Sequence, residues 1–401
     1  MKSFYKIIHT SSRVLWGNRE KRILCESLWM KENGHQVVIV APGNSPLFEN
    51  AKQNGLKVYP MSFKPLVRIG EYSRLKQIFA GEHPFVVNAH GRGDAKLALK
   101  AAQTADVPCR IMSRHNGERV KNTWPNKKIY KTRCHYVFTT SKDSTAHLKQ
   151  TFSLSDMQIF SIPDAIAVPD IAIAPEGTGG TGGTGGTGGT AKTEARQKLA
   201  IFLGLSKDTR FIGIFGKIEP QDIQQLCKIA DQLSRHLPCH HLLIAGTPEN
   251  QYPMDEKASP RVHMLLFSKE NDADFYQALD CCVYFPNPQN FYQGVPWEVT
   301  RAMAYFCPVI GPDTPGIRDI LINYKTGRIF NPDQPGSLPG IIRWTLNSPA
   351  AVQPLIQAAQ ALVKKYYTMD AMGRNILRIY RLRQVKIDRQ FQTGANAISP
   401  V

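Results

Sequence analysis

The sequence predicts an α/β fold of two doubly wound, parallel-sheet domains. In both halves of the chain, short apolar segments typical of buried strands alternate with segments typical of helices. Between the halves, four Thr-Gly-Gly repeats occupy residues 178–189. The chain has 401 residues, of which 42% are hydrophobic, and this is enough for two cores of ordinary size.

The first half begins with a predicted strand at residues 4–10, a loop at 11–18 and a helix at 20–33 that ends at Gly34. Strand and helix signals then continue to alternate. We predict strands at 37–41, 57–61, 85–89, 110–113, 136–140 and 159–162, and helices at 72–79, 96–104 and 144–152. In such a sheet, ligands bind at the carboxyl ends of the strands.

Three loops that follow predicted strands carry polar side chains suited to a binding site. They are residues 11–18, 90–94 and 114–117. A lone histidine is more often a structural residue than a ligand. His90 and His115, however, share a position directly after parallel strands, and this favours a functional role.

The Thr-Gly-Gly repeats have no apolar surface to bury and great backbone freedom, which is typical of a flexible linker. We interpret them as a passive tether or an engineered replacement for a loop, with a regulatory repeat as the less favoured alternative. The resulting domain prediction is an N-terminal domain at 1–170, a linker at 171–192, a C-terminal domain at 193–365 and a final helical segment at 366–401.

The second half repeats the alternation. We predict a helix at 192–203, strands at 211–216, 241–246, 263–267 and 281–285, and a helix at 274–280. Asp272 and Asp274 suggest a metal site, but they lie on this ordinary helix without further oxygen ligands nearby, so we expect no metal there. Apolar residues at helical spacing predict a last helix at 366–383.

Residues 291–320 predict an anion-binding site. A loop with Gly294 and Pro296 precedes a predicted helix at 297–305, and a strand at 308–311 leads to a second glycine-bearing turn. The first amides of a helix have no partners within it, and the helix dipole makes that end positive. The pattern therefore favours binding of a phosphate or diphosphate.

The composition favours anionic partners. Lys and Arg number 50 against 32 Asp and Glu, which gives a net charge of +18. Residues 110–133 contain eight Lys or Arg and the single acid Glu118, together with Trp124 and Tyr130. We expect this segment to contact an anionic membrane surface, with a solvated basic loop as the alternative. No nucleic-acid reading module is recognisable, so nucleic acid is not an expected partner.

The eight cysteines are scattered and show neither metal-ligand spacing nor a disulfide framework. No run of about 18 apolar residues and no signal peptide is evident. We therefore expect a cytoplasmic protein that is at most peripheral on the inner face of the cytoplasmic membrane.

The segment 291–320 resembles the donor-site signature of family-4 glycosyltransferases of the GT-B fold. The residues that carry the resemblance are Ala302-Met303-Ala304, Pro308-Val309, Gly316-Ile317 and Asp319. In the first half, residues 34–37 resemble the family's GHEV motif, and residues 107–116 resemble the strand that ends in its active-site histidine. Two family glutamates correspond here to Gln293 and Arg301.

The resemblance implies two Rossmann-like domains facing a cleft, with a C-terminal helix that crosses back to the N-terminal domain. It also implies transfer of a sugar from a nucleotide-diphosphate sugar to a saccharide or lipid-linked cell-envelope acceptor, with retention, and we expect no metal or cofactor. The implied catalytic residues are His115, Gln293 and Lys217. The implied donor-binding residues are Gly216, Lys217, Gln293, Gly294, Val295, Pro296, Glu298 and Arg301. The implied acceptor-binding residues are Arg13, Gly17, Asn18, His90, Arg114 and His115.

Three departures from the family pattern leave an alternative open. Gln293 and Arg301 replace the glutamates, and Asp222 stands where the family has a lysine that grips the diphosphate. The alternative is a catalytically weakened GT-B protein that binds a nucleotide or glycan as a partner subunit. A nucleotide-sugar 2-epimerase of the same fold has no supporting motif here.

Overall fold

The computed structural model describes residues 4–64, 68–166, 187–216, 218–246, 259–266, 272–285 and 294–396. The chain forms two compact units. The first unit comprises residues 1–165, 292–294 and 369–401, and the second comprises residues 166–291 and 295–368. Each unit is built on one parallel sheet, so the predicted α/β fold with two doubly wound sheets is confirmed.

The first unit contains a seven-stranded sheet. Its strands are β1 (Lys6–Thr10), β2 (Gln36–Ala41), β3 (Lys57–Pro60), β4 (Val86–Ala89), β5 (Cys109–Arg114), β6 (Tyr136–Thr139) and β7 (Ile159–Ser161). They are all parallel, in the order β3-β2-β1-β4-β5-β6-β7. The strand order reverses between β1 and β4, and in such sheets the crevice at the carboxyl ends of these two strands is the usual ligand site.

Helices cover both faces of this sheet. They are α1 (Asn18–Glu32), α2 (Pro46–Gln53), α3 (Arg68–Glu82), α4 (Arg92–Thr104), α5 (Trp124–Lys127), which continues into a π-helical turn (Lys128–Arg133), and α6 (Lys142–Phe152). Side chains of α1 and α2 form one core with Ile7 and Ile39. Side chains of α3, α4 and α6 form another core with Ile8 and Val40 on the opposite face.

Two of these helices begin earlier than the sequence predicts. Helix α1 begins at Asn18 rather than at residue 20, and α4 begins at Arg92 rather than at residue 96. Each follows a glycine in extended conformation, Gly17 or Gly91, that supplies no side-chain cap. Because the caps carry no Ser, Thr, Asp or Asn, the usual signal for a helix start is absent. Both helices therefore start directly at the strand-end loops.

The second unit contains a six-stranded sheet. Its strands are β8 (Arg210–Phe215), β9 (His240–Gly246), β10 (Val262–Leu266), β11 (Leu279–Tyr284), β12 (Val309–Pro312) and β13 (Arg328–Phe330). They are parallel in the order β10-β9-β8-β11-β12-β13. The accompanying helices are α7 (Thr187–Phe202), α8 (Pro220–Ser234), α9 (Asp272–Ala278), α10 (Trp297–Ala304), α11 (Pro315–Arg318), α12 (Leu338–Asn347) and α13 (Pro349–Tyr366).

The predicted linker at 171–192 is only partly described. Residues 187–192 belong to α7, which extends the helix predicted at 192–203 toward the N-terminus. The rest of the linker, including most of the Thr-Gly-Gly repeats, lies outside the described residues.

The final helix, α14 (Met369–Asn396), belongs to the first unit. Its apolar stripe enters the same core as α1, where Tyr380 packs edge-on against Tyr5. The Trp29 Nε1–H of α1 donates to Asp370 Oδ1 at 2.8 Å. A Cβ on Gly373 would lie 2.3 Å from the Trp29 ring, so the indole packs directly on the α14 backbone. The predicted return of the C-terminal helix to the N-terminal domain is confirmed.

Candidate functional site

Three histidines form a continuous row at the carboxyl edge of the first sheet. His9 belongs to β1, His90 follows β4 and His115 follows β5. Because these strands are neighbours in the sheet, the rings meet. His9 Nδ1 lies 2.8 Å from His90 Nε2, and His90 Nδ1 lies 2.8 Å from His115 Nε2. The structure thus brings the predicted His90 and His115 together and adds His9, which the sequence reasoning missed. We call these three residues the histidine row.

Ionisable groups of α1 lie behind the histidine row. Glu26 Oε1 is 3.9 Å from His9 Nε2, and Glu26 Oε2 is 3.6 Å from Arg22 Nε. Arg22 Nη1 also donates to Asp164 Oδ1 at 2.6 Å and to the Ile162 carbonyl at 2.8 Å. Burial raises the pKa of Glu26 to about 7, although the Arg22 charge opposes this shift. Glu26 is therefore a carboxyl group that titrates near neutrality.

The histidines of the row are neutral at pH 7. Burial lowers the pKa of His9 to about 3, with the nearby Arg22 charge as a second cause. Burial likewise holds the pKa values of His90 and His115 well below their usual range. His115 is partly exposed, but its Nδ1 is shielded and has no hydrogen-bond partner among the residues described. That nitrogen is an end of the row without a hydrogen-bond partner among the described residues.

Asp94, in the first turn of α4, fixes the His90 loop. Its Oδ2 accepts from Thr10 Oγ1 at 2.8 Å and from the His90 backbone N–H at 2.9 Å. Burial raises the pKa of Asp94 to about 6. The carboxyl group therefore joins the ends of β1 and β4 at the point where the strand order reverses.

The other predicted acceptor residues lie around the same edge. Gly17 caps α1, Asn18 is the exposed first residue of that helix, and the Arg13 guanidinium lies beside Gly17. Arg114, at the end of β5, donates from Nη2 to the Glu118 carbonyl at 3.1 Å. These residues share a strand-end neighbourhood with the histidine row.

Arg19 also belongs to this edge, although the sequence reasoning did not single it out. Its Nη1 donates to the His90 carbonyl at 3.3 Å, and its Nε donates to Glu20 Oε1 at 3.0 Å. The only available signal was its place in the first turn of α1, beside the loop.

In the second unit, Gly216 ends β8 in a conformation that only glycine adopts easily. Its φ is +121°, and a Cβ would lie 2.2 Å from the Phe285 carbonyl oxygen at the end of β11. The backbones after β8 and β11 therefore approach closely at the switch point of the second sheet. Lys217 and Gln293, two of the predicted catalytic residues, lie outside the described residues.

The predicted anion-binding turn leads into α10. Val295 is buried, and Pro296 is the N-cap of α10 without a side-chain cap. The neighbouring Gly294 groups with the first unit, where a Cβ on it would lie 2.6 Å from Thr140 Oγ1. The opening amides of α10 receive no cap from the Pro296 side chain.

Glu298 and Arg301 are half-buried on α10. Glu298 lies in the first turn, and its charge adds to burial in raising the pKa of the Tyr284 phenol. The Arg301 guanidinium lies over the Trp297 ring, 4.9 Å from its centroid. The stacking holds Arg301 along its own helix.

Asp222 has a structural role. Its Oδ2 accepts from the Glu219 backbone N–H at 2.7 Å, and the Glu219 side chain accepts in return from the amide at Asp222. This reciprocal pair is a capping box at the start of α8. The acid that replaces a family lysine is therefore used to begin the helix.

Among the described residues, no three His, Cys, Asp or Glu side chains are grouped as metal ligands would be. No helix in the described ranges is long and apolar enough to cross a bilayer.

Two family models match the chain. The model for glycosyl transferases group 1 matches residues 195–362, and the model for glycosyltransferase family 4 matches residues 23–168. No curated protein matches the sequence.

Several solved structures are similar over almost their whole length. A glycosyltransferase from Rickettsia africae ESF-5 has 15% identity and a TM-score of 0.75, with 95% of this chain and 99% of that chain covered. Anabaena HepE in complex with UDP has 13% identity and a TM-score of 0.72, with 94% and 99% covered. The lipopolysaccharide outer core galactosyltransferase WaaB has 12% identity and a TM-score of 0.63, with 93% and 98% covered. At these identities the likeness shows the fold.

Proposed function

Because the chain belongs to the group 1 glycosyltransferases of family 4, with the GT-B fold, we propose that it transfers a sugar from a nucleotide-diphosphate sugar to a saccharide or lipid-linked acceptor of the cell envelope. The Anabaena HepE structure contains UDP, which makes uridine nucleotides the first donors to test. The WaaB protein is named as a lipopolysaccharide galactosyltransferase, which supports an envelope saccharide as the first acceptor.

The observation that carries the donor half of the proposal is the start of α10. Its opening amides lack a side-chain cap from Pro296 and form the positive end of the helix dipole. Lys217 directly follows Gly216, whose positive φ brings the chain against the end of β11. We assign the diphosphate to Lys217 and the α10 amides, and the sugar or ribose hydroxyls to Gln293 and Glu298.

We further propose retention at the anomeric carbon and catalysis without metal or cofactor. Helix amides and a lysine can stabilise the charge that develops on the leaving diphosphate, which is the task a metal ion performs in other transferases. His115, with Arg13, Asn18 and Arg114, would contact the acceptor at the carboxyl edge of the first sheet.

A nucleotide panel tests this proposal. UDP, GDP, ADP and the matching monophosphates are compared for thermal stabilisation of the full chain, which should reach about 2.7 kcal/mol at a ligand concentration of about 100 times Kd. We expect one diphosphate to stabilise far more than its monophosphate, and EDTA to leave that effect unchanged. Equal effects of mono- and diphosphates would contradict the assigned site.

Measurement of donor turnover distinguishes an active transferase from a catalytically weakened binding subunit. Donor hydrolysis or transfer, with an α-linked product from an α-linked donor, supports an active retaining enzyme. Binding of the diphosphate without turnover of any donor supports the catalytically weakened subunit.

We also propose that the enzyme is peripheral on an anionic membrane, through a basic surface of the first unit. An open cavity of about 390 Å³ is lined by Ile69, Tyr72, Lys96, Leu97, Lys100, Trp124, Pro125, Lys128 and Arg133. Ile69 is 89% exposed and Trp124 is 68% exposed, while Lys128 Nζ lies 3.7 Å from the Trp124 ring centroid.

This lining combines four cationic side chains with exposed apolar ones and contains no acid. Basic residues near an anionic leaflet contribute about 1 kcal/mol each, and Trp is favoured at the interface. The basic surface therefore suits anionic lipid headgroups. Two of its cationic residues, Lys128 and Arg133, belong to the basic segment noted in the sequence at residues 110–133. The other two, Lys96 and Lys100, belong to α4.

A further inference from the structure

The histidine row ends at a buried acid that the proposed reaction does not use. Neither oxygen of Glu26 accepts a hydrogen bond at ordinary distance from a described residue, and His9 Nε2 also lacks a partner at that distance. Buried polar groups without partners are costly, so a native fold usually keeps them for a reason. Here these groups allow two alternative arrangements of protons along the row.

A neutral imidazole carries one proton, so each contact in the row has one donor and one acceptor. With Glu26 ionised, His9 places its proton on Nε2, toward the carboxylate. His9 Nδ1 then accepts from His90 Nε2–H, and His90 Nδ1 accepts from His115 Nε2–H. His115 Nδ1 is consequently left with a lone pair.

With Glu26 protonated, the order reverses. The carboxyl group donates to His9 Nε2, His9 and His90 donate from Nδ1, and His115 carries its proton on Nδ1. The two states differ by one proton, which Glu26 carries. Each histidine keeps one proton but on its other nitrogen, so the proton of His115 moves from Nε2 to Nδ1. Each change requires Glu26 and His9 to approach from 3.9 Å to hydrogen-bond distance.

We propose that Glu26, His9 and His90 are positioning residues that decide whether Nδ1 of His115 accepts or donates a hydrogen bond. With Glu26 ionised, His115 accepts a hydrogen bond from a hydroxyl of the acceptor saccharide. With Glu26 protonated, His115 Nδ1 carries a proton, and the hydrogen bond that it accepted from the hydroxyl is lost. The identity of the ligand in this inference rests on the proposed function, whereas the positions of the protons along the histidine row do not.

Other charged or titratable groups lie near the row on several elements. They are Arg19, Glu20 and Arg22 of α1, Asp94 of α4, Arg114 at the end of β5, Asp164 after β7 and Tyr380 of α14. Burial, with the arginine charges as a further cause, keeps the histidines neutral, so Glu26 and not the histidine row changes charge near neutral pH. Its pKa of about 7 places the change where an enzyme would operate.

The first test observes the row without activity. In the full chain with ¹⁵N-labelled histidine, NMR reports which nitrogen of His115 carries the proton, and a His115→Gln variant assigns its signals. We expect Nε2–H at pH 8.5, Nδ1–H at pH 5.5 and a midpoint near pH 7. In Glu26→Gln, and in His90→Gln if the first variant does not fold, the tautomer should no longer change with pH. Glu32→Gln, on the exposed end of α1, is the matched control.

A His115 tautomer that is constant from pH 5.5 to 8.5, or that changes equally in Glu26→Gln, would overturn the inference. The second test uses the reaction. At saturating donor, the acceptor KM should rise about fivefold or more from pH 8 to pH 6, as expected for the loss of one hydrogen bond, and Glu26→Gln should remove this dependence. If no donor is turned over, the proposed function fails while the NMR result still decides the state of the row.

Discussion

Replacing Glu26 by Gln tests how much free energy the buried carboxyl group costs the fold. Burial raises the pKa of this group from 4.5 to about 7, so the folded protein holds the proton to higher pH than the unfolded chain does. Below pH 4.5 the group is protonated in both states and costs nothing. Between pH 4.5 and pH 7 the native state loses stability as the pH rises, and above pH 7 the loss stays constant; it is about 1 kcal/mol at pH 5 and about 3 kcal/mol at pH 8.

The uncharged, isosteric glutamine removes this dependence. The free energy of unfolding of the variant minus that of the wild type should therefore rise by about 2 kcal/mol between pH 5 and pH 8. The lowered pKa values of His9, His90 and His115 also destabilise the folded state at acid pH. The wild type and the variant share this effect, so it largely cancels in the difference between their free energies of unfolding.

Native-state hydrogen exchange of the β1 and β4 amides is the suitable assay, because it reports the first unit separately from the second. Glu32→Gln on the exposed end of α1 controls for the loss of a surface charge. A difference that is constant with pH, or one that falls as pH rises, would refute the reasoning.

Four further predictions concern other parts of the chain. Lys217→Ala should weaken binding of a nucleotide diphosphate about tenfold or more in calorimetry, through loss of a charge-assisted contact, and unchanged affinity would contradict the assignment. Arg301→Glu should restore an acceptor for ribose and either raise activity with common UDP- or GDP-sugars or abolish activity with the native donor, whereas kinetics indifferent to the swap would make Arg301 structural. Charge reversal at Lys100 and Lys128 should reduce co-sedimentation with anionic vesicles at low salt, and a wild type that stays in the supernatant would exclude membrane docking. Gly373→Ala should destabilise the first unit by about 1–3 kcal/mol in hydrogen exchange, because the methyl group enters the space of an indole; no change would mean that α14 shifts freely.

The sequence predicts the strands better than the helix starts. Apolar runs such as residues 37–41 and 211–216 can be recognised as strands from the local sequence alone, and the structure has strands there. Strand β13 was missed because its three residues, Arg328–Phe330, give no periodicity. Helix α2 was also missed, although Ser45 caps it and Pro46 begins it, which are ordinary local signals.

The site was only partly predictable for a different reason. His90 and His115 follow strands and could be selected by position, but the role of His9 depends on neighbours 81 and 17 residues away, at His90 and at Glu26. No local pattern carries that information. The capping role of Asp222 was available locally, from Glu219 three residues before it, but the family comparison drew attention to the missing lysine instead.

The placement of α14 has a consequence for synthesis of the protein on the ribosome. The first unit lacks its last core helix until the chain has passed through all of residues 166–368. At about 5–20 residues per second, this interval lasts roughly ten to forty seconds. During that time the face that receives Tyr380, with Tyr5 and Trp29 on it, has no cover from α14. The nascent N-terminal part must therefore remain incomplete while the second unit is made, and a ribosome that stops before Met369 releases a chain that exposes this apolar face to chaperones and proteases.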